Sequence, residues 1–457
     1  MIFLEYLYNV LCIKLCGWVR DKEKRFKGEM KNLFNFNENK TNLKAELIAG
    51  LTSFFAAVYI IVVNASILSE GGINQEPLII ATVLSSFIGC FLVAIISDTP
   101  LIVMPAMGVN ALFIYTIVLG FGLSFSEALA SVVVSGILFL IVAITPLSKI
   151  LDESIPNSLK ESITIGIGLF ITFLGLQKSG LVISDPSTIV KIGSLSDPRV
   201  LFFIFMFVIT IILFAKNIPG NFLISIILGT ILAIVFNFVD ISNLEFTLPN
   251  FKEYKEIFFS ISFEKIFTLP FWISTFSLTL VLVFENIGLL HGQVTGLLKS
   301  PKKQNNALKA VALSTIACGL FGTSPSVSVV EGTAGIAAGG KSGLTSAFSG
   351  VLFLLSLFFI PFINIIPNEV LAPILIILGS LMIKGIVHIN FEDISEAIPC
   401  FLIIILMPLT FSIIDGIAFG FISYVLMKLI TKNKEQISIP MYIVSLIFVF
   451  YYVLISI

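Results

Sequence analysis

The chain has 457 residues, of which 57% are apolar and only 12% are charged, and its net charge at pH 7 is −1. Since a soluble domain carries about 25% charged residues, this composition excludes a cytosolic enzyme, a disordered protein and a nucleic-acid binder. It leaves a protein that crosses the membrane several times, with the bilayer as the solvent for its apolar exterior.

The first 44 residues are predicted to form an N-terminal arm. Residues 1–19 are apolar in patches, contain Glu5 and Lys14, and are followed by basic residues. That order is wrong for a cleaved signal peptide. We therefore expect an amphipathic arm that lies in the cytoplasm or in the membrane interface.

Fourteen apolar segments follow, in two groups of seven, and most approach the ~20 residues that a membrane span needs. They cover residues 46–68, 77–97, 101–119, 126–145, 160–177, 200–215, 221–239, 272–291, 306–321, 326–338, 344–360, 371–387, 397–412 and 416–430. A further apolar stretch, 440–456, is either an extra helix or an interfacial segment.

The basic residues support this count when the N-terminus is placed inside. Of the 27 Lys and Arg, all but six then fall in predicted cytoplasmic segments. The six in external loops are Lys178, Lys191, Arg199, Lys252, Lys255 and Lys265. This bias agrees with the positive-inside rule. Seven spans followed by seven spans also place the second half upside down relative to the first, which is a common plan among transporters.

Two segments, in the third and tenth spans, break the helical pattern. Residues 103–113 contain Pro105, which interrupts a helix. Residues 322–340 contain Pro325, and the Ser-Val alternation at 326–329 predicts a short strand. Because irregular backbone at membrane depth survives only inside protein or beside a wet cavity, paired breaks predict a substrate site. The alternative for each is a simple kink or a run of packing glycines.

Two carboxylates lie within predicted spans. Glu285 follows an uncharged stretch in LTLVLVFENIGLLHG, and Glu331 lies in the second break. A carboxylate near mid-bilayer costs about 3 kcal/mol on insertion scales. Since neither residue has a Lys or Arg in its own span, each could be protonated near neutral pH or accept N–H bonds from a ligand when ionised. The alternative is a protonated Glu that bonds a neighbouring helix.

Five segments together carry a specific resemblance. They are KAELIAGLTSFFAAVYIIVVNASIL (44–68), PAMGVNALFIYTIV (105–118), FENIG (284–288), EGTAGIAAGGKSGLT (331–345) and IPCFLIIILMPLTFSIIDGIAFGFISYVLMKL (398–429). The chain thereby resembles the nucleobase–cation symporter (nucleobase–ascorbate transporter) superfamily, in its guanine, hypoxanthine and adenine permease branch, from about residue 44 to 430.

The resemblance implies an all-α polytopic membrane protein with 14 transmembrane segments in a 7+7 inverted repeat. It implies short strands in the broken segments 3 and 10, a core domain of spans 1–4 and 8–11, and a gate domain of spans 5–7 and 12–14. The corresponding ranges are 1–44 for the arm, 45–145 and 272–361 for the core, 146–240 and 362–431 for the gate, 241–271 for an external loop, and 432–457 for a C-terminal basic segment and the extra apolar segment.

The resemblance also implies the site. Glu285 corresponds by position to the span-8 carboxylate that holds the base, and Glu331 to the span-10 residue that completes the site. Both are candidates for proton coupling. Further substrate contacts are expected in the broken spans, at Gly108, Asn110, Ser328 and Val330. This branch usually has Asp followed by Thr where the chain has Glu285 and Asn286, and the uracil branch has a His where the chain has Leu289.

The implied function is import of a purine nucleobase (hypoxanthine, guanine, adenine or xanthine) by proton symport through the cell membrane, with core and gate sliding past each other. The N-terminus is expected in the cytoplasm. No cofactor and no metal are expected, since the two His and the scattered Cys form no ligand cluster. A homodimer remains one option. The alternatives are transport of uracil or of an anion such as sulfate on the same fold, a channel, and an intramembrane enzyme.

Overall fold

The computed structural model describes residues 34, 36–240, 249–363, 365–431, 435 and 437–456. Most of the predicted N-terminal arm and the first part of the predicted external loop, residues 241–248, therefore lie outside the described residues.

The first half of the chain is helical except at one short strand and one hairpin. Its α-helices are α1 (Phe36–Asn39), α2 (Leu43–Ala57), α3 (Tyr59–Leu68), α4 (Gln75–Ile96), α5 (Met107–Ala111), α6 (Phe125–Ile144), α7 (Leu147–Ser154), α8 (Asn157–Lys178), α9 (Pro198–Ala215) and α10 (Asn221–Val235). A π-helix (Leu112–Gly120) continues α5. The strands are β1 (Val103–Pro105) and the hairpin β2 (Val182–Asp185) and β3 (Ile189–Ile192).

The second half is also mostly helical and contains one short strand, with no hairpin among its described residues. Its α-helices are α11 (Phe251–Tyr254), α12 (Leu269–Leu290), α13 (Gln304–Phe321), α14 (Thr333–Ala337), α15 (Gly343–Leu355), α16 (Ile360–Ile363), α17 (Asn368–Met382), α18 (Ile394–Thr410), α19 (Ile413–Ile430) and α20 (Ile439–Ser456). A π-helix (His291–Leu297) continues α12, and the strand β4 (Ser326–Ser328) is followed by a 3₁₀ turn (Val330–Gly332).

Each of the fourteen predicted spans coincides with one or more of these elements. Nine helices in the described part of the chain are long and apolar enough to cross a membrane. The other predicted spans are shorter or more polar: the broken third and tenth, the α10 and α18 helices, and α13, which begins with Gln304, Asn305 and Asn306. The protein is thus a multi-pass membrane protein, and the full count of fourteen crossings stays a prediction.

The broken spans meet each other in the middle of the fold. β1 and β4 pair antiparallel, with Val103 opposite Ser328, Met104 opposite Val327 and Pro105 opposite Ser326. The pair extends at one end, where the Val329 N–H donates to the Ile102 carbonyl at 3.0 Å. Both strands are buried. Pro105 has no N–H to offer and ends its strand, after which α5 begins. The strands expected in segments 3 and 10 are therefore confirmed.

Two groups of helices make their most extensive contacts within themselves. Helix set 1 comprises α2–α6 and α12–α15, in which α13 packs on both α4 and α6, and α15 packs on α2 and α4. Helix set 2 comprises α8–α10 and α17–α19, in which α8 packs on α17 and α18. Each set takes helices from both halves of the chain, which is what an inverted repeat of intertwined halves produces.

The apolar stretch at 440–456 forms the extra helix α20. It lies antiparallel to α19, because the Ser445 hydroxyl donates to the Phe421 carbonyl at 2.9 Å while the Tyr452 hydroxyl donates to Asp415 Oδ1 at 2.7 Å. The side chains of Met441 and Phe448 are fully buried at this contact. The stretch is therefore a helix that packs on α19 of helix set 2, and its Phe448 ring also contacts Phe276 of α12 in helix set 1.

Candidate functional site

A cavity of about 1800 Å³ lies between helix sets 1 and 2. Helix set 1 contributes residues of α2, α5, α12 and the segment from β4 to α14, and helix set 2 contributes residues of α8, α10, α17 and α19. Ligand pockets are usually about 300–1,000 Å³. The cavity therefore has room for a small planar molecule together with water.

One end of the cavity is accessible. Asn217, His291 and Lys384 lie in its wall and are exposed. Each of them lies at a helix end that the positive-inside rule predicts to face the cytoplasm. Deeper in the cavity the wall is formed by buried apolar side chains such as Ile60 and Ile171.

The opposite end of the boundary between the helix sets is closed. Lys178 Nζ of α8 forms an ion pair with Glu70 Oε1 at 2.6 Å. The Tyr115 ring lies edge-on to the rings of Phe170 and Phe411, with centroids 5.9 and 5.4 Å away. Glu70 and Tyr115 follow helices of helix set 1, whereas Lys178, Phe170 and Phe411 lie in or directly after helices of helix set 2. These contacts therefore join the two sets.

Glu285 lines the cavity from α12. Its Oε2 atom is buried and has no hydrogen-bond partner. Among the described residues no Lys, Arg or His forms an ion pair with it. A buried polar atom without a partner is rare in a folded protein, and a carboxylate can accept N–H bonds from a bound ligand. The free oxygen atom is therefore available to a ligand that enters the cavity.

Glu331 lines the same cavity from the 3₁₀ turn after β4. It accepts a hydrogen bond from the hydroxyl of Tyr59, the first residue of α3. Tyr59 is fully buried. The structure thus brings both predicted carboxylates to one cavity and leaves each without a cation partner among the described residues.

The helix that carries Glu285 also holds the strand that precedes Glu331. Asn286 Oδ1 accepts from the Ser328 N–H at 3.1 Å. Gln293, in the π-helix that continues α12, donates from Nε2 to the Val329 carbonyl at 3.0 Å and accepts from the Ser328 hydroxyl at 2.6 Å. These three bonds fix the position of one carboxylate relative to the other.

Of the further predicted contacts, Gly108 and Val330 line the cavity. Val330 is 58% exposed. A Cβ at Gly108 would lie 2.5 Å from Ile167 Cγ2 of α8, so only glycine allows α5 to approach helix set 2 this closely. The Phe55 side chain also lines the cavity.

Asn110 and Ser328 are placed differently. Both are fully buried behind the cavity wall, so neither side chain can contact a ligand in this conformation. Asn110 Oδ1 accepts from the Ser324 hydroxyl at 2.5 Å, and that hydroxyl also lies 3.3 Å from Asn64 Oδ1. The reason is that Asn110 bonds Ser324, which precedes β4 and is itself fully buried, so the amide packs inside the protein.

Tyr59 and Gln293 are two residues of the site that the sequence alone does not single out. Tyr59 lies in an apolar run, and the chain has 44 Phe and 9 Tyr residues in all. Nothing in the local sequence distinguishes Tyr59 from a core residue. Gln293 lies eight residues after Glu285, and an amide that close to the predicted end of a span looks like a surface residue. Only the fold shows that each one fixes part of the site.

The arrangement suits recognition of a polar, uncharged ligand. Two carboxylates can accept N–H bonds, apolar side chains can contact a flat ring, and the large open end admits water. Among the residues that the structure describes, no group of His, Cys, Asp and Glu could hold a metal ion.

Comparison with known proteins decides the family. A family model described as a permease family (Xan_ur_permease) matches residues 44–419. The chain belongs to this permease family. Nucleobase transporter PlAzg2 of Paenibacillus larvae is 44% identical over 384 residues, which are 84% of this chain and 77% of the relative. Guanine/hypoxanthine permease PbuO of Bacillus subtilis is 36% identical over 427 residues, 92% of this chain and 99% of the relative.

These relatives confirm the resemblance seen in the motifs: the permease belongs to the nucleobase–ascorbate transporter superfamily, in its purine branch. Among solved structures, the transmembrane domain of a cyanobacterium bicarbonate transporter, BicA, superimposes with a TM-score of 0.64 at 18% identity, over 82% of this chain and 97% of that one. This likeness confirms the predicted fold class, a helical membrane protein of the 7+7 inverted-repeat fold, while the exact number of spans stays a prediction. At that identity it shows the fold alone.

Proposed function

We propose that the permease imports a purine nucleobase across the cell membrane by proton symport. The names of its relatives support a nucleobase substrate. The observation that carries the proposal is the pair of cation-free carboxylates, Glu285 and Glu331, in the wall of one cavity beside the paired breaks.

A purine matches these groups. Its ring N–H groups can donate to the carboxylates, and its flat face can lie against apolar side chains such as Phe55. Hypoxanthine, guanine, adenine and xanthine all meet this description. An anion such as sulfate does not, because two carboxylates without a cation would repel it.

The coupling proton has a place at the same site. An ionised carboxylate without a cation is costly to bury, and protonation removes that cost. A proton taken up at Glu285 or Glu331 would therefore favour a conformation in which the site is closed off from water. With one carboxyl protonated and the other ionised to accept the ligand N–H, proton and base would be bound together and carried in the same direction.

Alternating access would come from movement of one helix set past the other. We assign residues 45–145 and 272–361 to a core domain and 146–240 and 362–431 to a gate domain. The separate packing of helix sets 1 and 2 supports this division. With the N-terminus in the cytoplasm, the open end of the cavity faces inward, and the closure at Glu70 and Lys178 faces outward.

The test is uptake of labelled hypoxanthine, guanine, adenine, xanthine and uracil into cells that lack their own nucleobase permeases. We expect saturable uptake of at least one purine, and its collapse when a protonophore removes the proton gradient. Purine uptake that survives the protonophore would overturn symport. Uptake of uracil alone would overturn the purine assignment.

A further inference from the structure

Tyr59 touches both the candidate site and the opposite helix set. It lies where the first predicted span is divided into two helices, since α2 ends at Ala57 and α3 begins at Tyr59. Its side chain is fully buried. The hydroxyl donates to Glu331 Oε1, which lies 272 residues further along the chain.

The ring of Tyr59 contacts helix set 2. It lies edge-on to the ring of Phe222, with centroids 5.0 Å apart and planes at 65°. Phe222 belongs to α10 in helix set 2 and is stacked on Phe214, with centroids 5.8 Å apart. One side chain of helix set 1 therefore bonds a cavity carboxylate and packs against an aromatic pair of helix set 2.

We propose that Tyr59 is a positioning residue that orients Glu331 for the ligand and couples the occupancy of that carboxylate to the contact between the two helix sets. This inference rests on the proposed function. The Tyr59 hydroxyl occupies one acceptor position of the Glu331 carboxylate and leaves the others for a ligand N–H or a proton. Neutralising the carboxylate with a proton weakens this charge-assisted bond, which lets the ring shift against Phe222, the contact that we expect to slide during transport.

Two substitutions separate the two roles. Tyr59→Phe keeps the ring and removes the hydroxyl, whereas Tyr59→Leu removes both. Tyr452→Phe is a matched control, because it removes a tyrosine–carboxylate bond, to Asp415, between two residues that do not line the cavity. Phe222→Leu tests the ring contact from the other side.

The measurement is the initial rate of uptake of the preferred purine against its concentration, corrected for the amount of each variant in the membrane. A hydrogen bond to a charged group is worth about tenfold in affinity or more. We expect Tyr59→Phe to raise KM about tenfold with Vmax within twofold, and Tyr59→Leu and Phe222→Leu to lower Vmax as well. Tyr452→Phe should match the wild type.

A double-mutant cycle gives the decisive result. If the hydroxyl acts through Glu331, Tyr59→Phe should change KM less than twofold in a Glu331→Gln background. An unchanged KM in Tyr59→Phe, or its full effect in that background, overturns the positioning role. Equal Vmax in Tyr59→Phe and Tyr59→Leu, with unchanged Vmax in Phe222→Leu, overturns the coupling. Lack of purine uptake by wild-type protein that is present in the membrane refutes the proposed function itself, which is a distinct outcome.

Discussion

Replacing Glu285 by Gln should weaken purine binding without weakening the fold. The substitution keeps the shape of the side chain and removes its charge. One hydrogen bond to a charged group contributes about 1.5–3 kcal/mol, and each 1.4 kcal/mol is tenfold in affinity. If the carboxylate accepts one ligand N–H, the affinity should fall about 10- to 150-fold.

The stability of the same variant should move in the other direction or not at all. Glu285 Oε2 is buried without a partner, and no ion pair is lost on substitution. An amide at this position removes the cost of an unpaired buried charge, so the melting temperature of the ligand-free protein in detergent should stay level or rise. Glu369→Gln is the matched control. Glu369 is also buried, but it is paired with Arg199 at 2.8 Å, so its loss should lower the melting temperature and leave affinity unchanged.

The assay is equilibrium binding of the labelled purine to purified protein, alongside thermal unfolding of the same samples. A change in affinity of less than threefold in Glu285→Gln would remove Glu285 from the site. A loss of affinity accompanied by a fall in melting temperature as large as that of Glu369→Gln would mean that the side chain acts through the fold and not through a bond to the ligand.

Three further perturbations test the surroundings of the site. Lys178→Gln breaks the ion pair with Glu70. Since a partly exposed pair contributes about 0.2–1 kcal/mol, its loss should speed alkylation from outside of a cysteine placed at the buried cavity-wall position Ile171 up to about fivefold. An unchanged rate would show that the pair does not hold the closure. Gly108→Ala should lower Vmax, since overpacking against Ile167 costs about 1–3 kcal/mol. The double variant Gly108→Ala, Ile167→Ala should recover the wild-type Vmax. If it does not, the proposed close approach of α5 and α8 is contradicted. Asn286→Ala leaves the buried Ser328 N–H without its acceptor. Since an unsatisfied buried donor costs about 1–3 kcal/mol, both the melting temperature and the affinity for the purine should fall. A variant with wild-type melting temperature and affinity would exclude Asn286 as the anchor of β4.

The sequence was sufficient to predict features that depend only on neighbouring residues in the chain. A span is visible because ~20 consecutive apolar residues are the length that crosses a bilayer and rarely occur in a soluble chain. Glu285 stands out because a charge in such a run is expensive. The breaks at Pro105 and Pro325 are equally local, since proline removes a backbone donor wherever it lies. Each of these features needs no knowledge of what packs nearby.

The remainder depends on tertiary contacts that no local pattern encodes. The register of β1 against β4 joins residues more than 200 positions apart, and it decides that Ser328 points toward Gln293 and away from the cavity. Asn110 is polar and lies in a broken span, as a ligand contact would, yet its partner Ser324 comes from the other half of the chain. For the same reason the role of Tyr59 could not be read from its own span.

The two halves of the repeat supply different chemistry to the cavity. Both carboxylates, Glu285 and Glu331, come from the second half. The first half contributes the close backbone approach at Gly108 and the hydroxyl of Tyr59, and its own polar residue at the break, Asn110, is turned inward. An inverted repeat thus provides a symmetric frame, in which the second half carries both carboxylates proposed to bind the ligand and the first half fixes the position of one of them. Substitutions in the second half should therefore change which ligand N–H groups are recognised, whereas those in the first half should change how tightly and how fast the same ligand is carried.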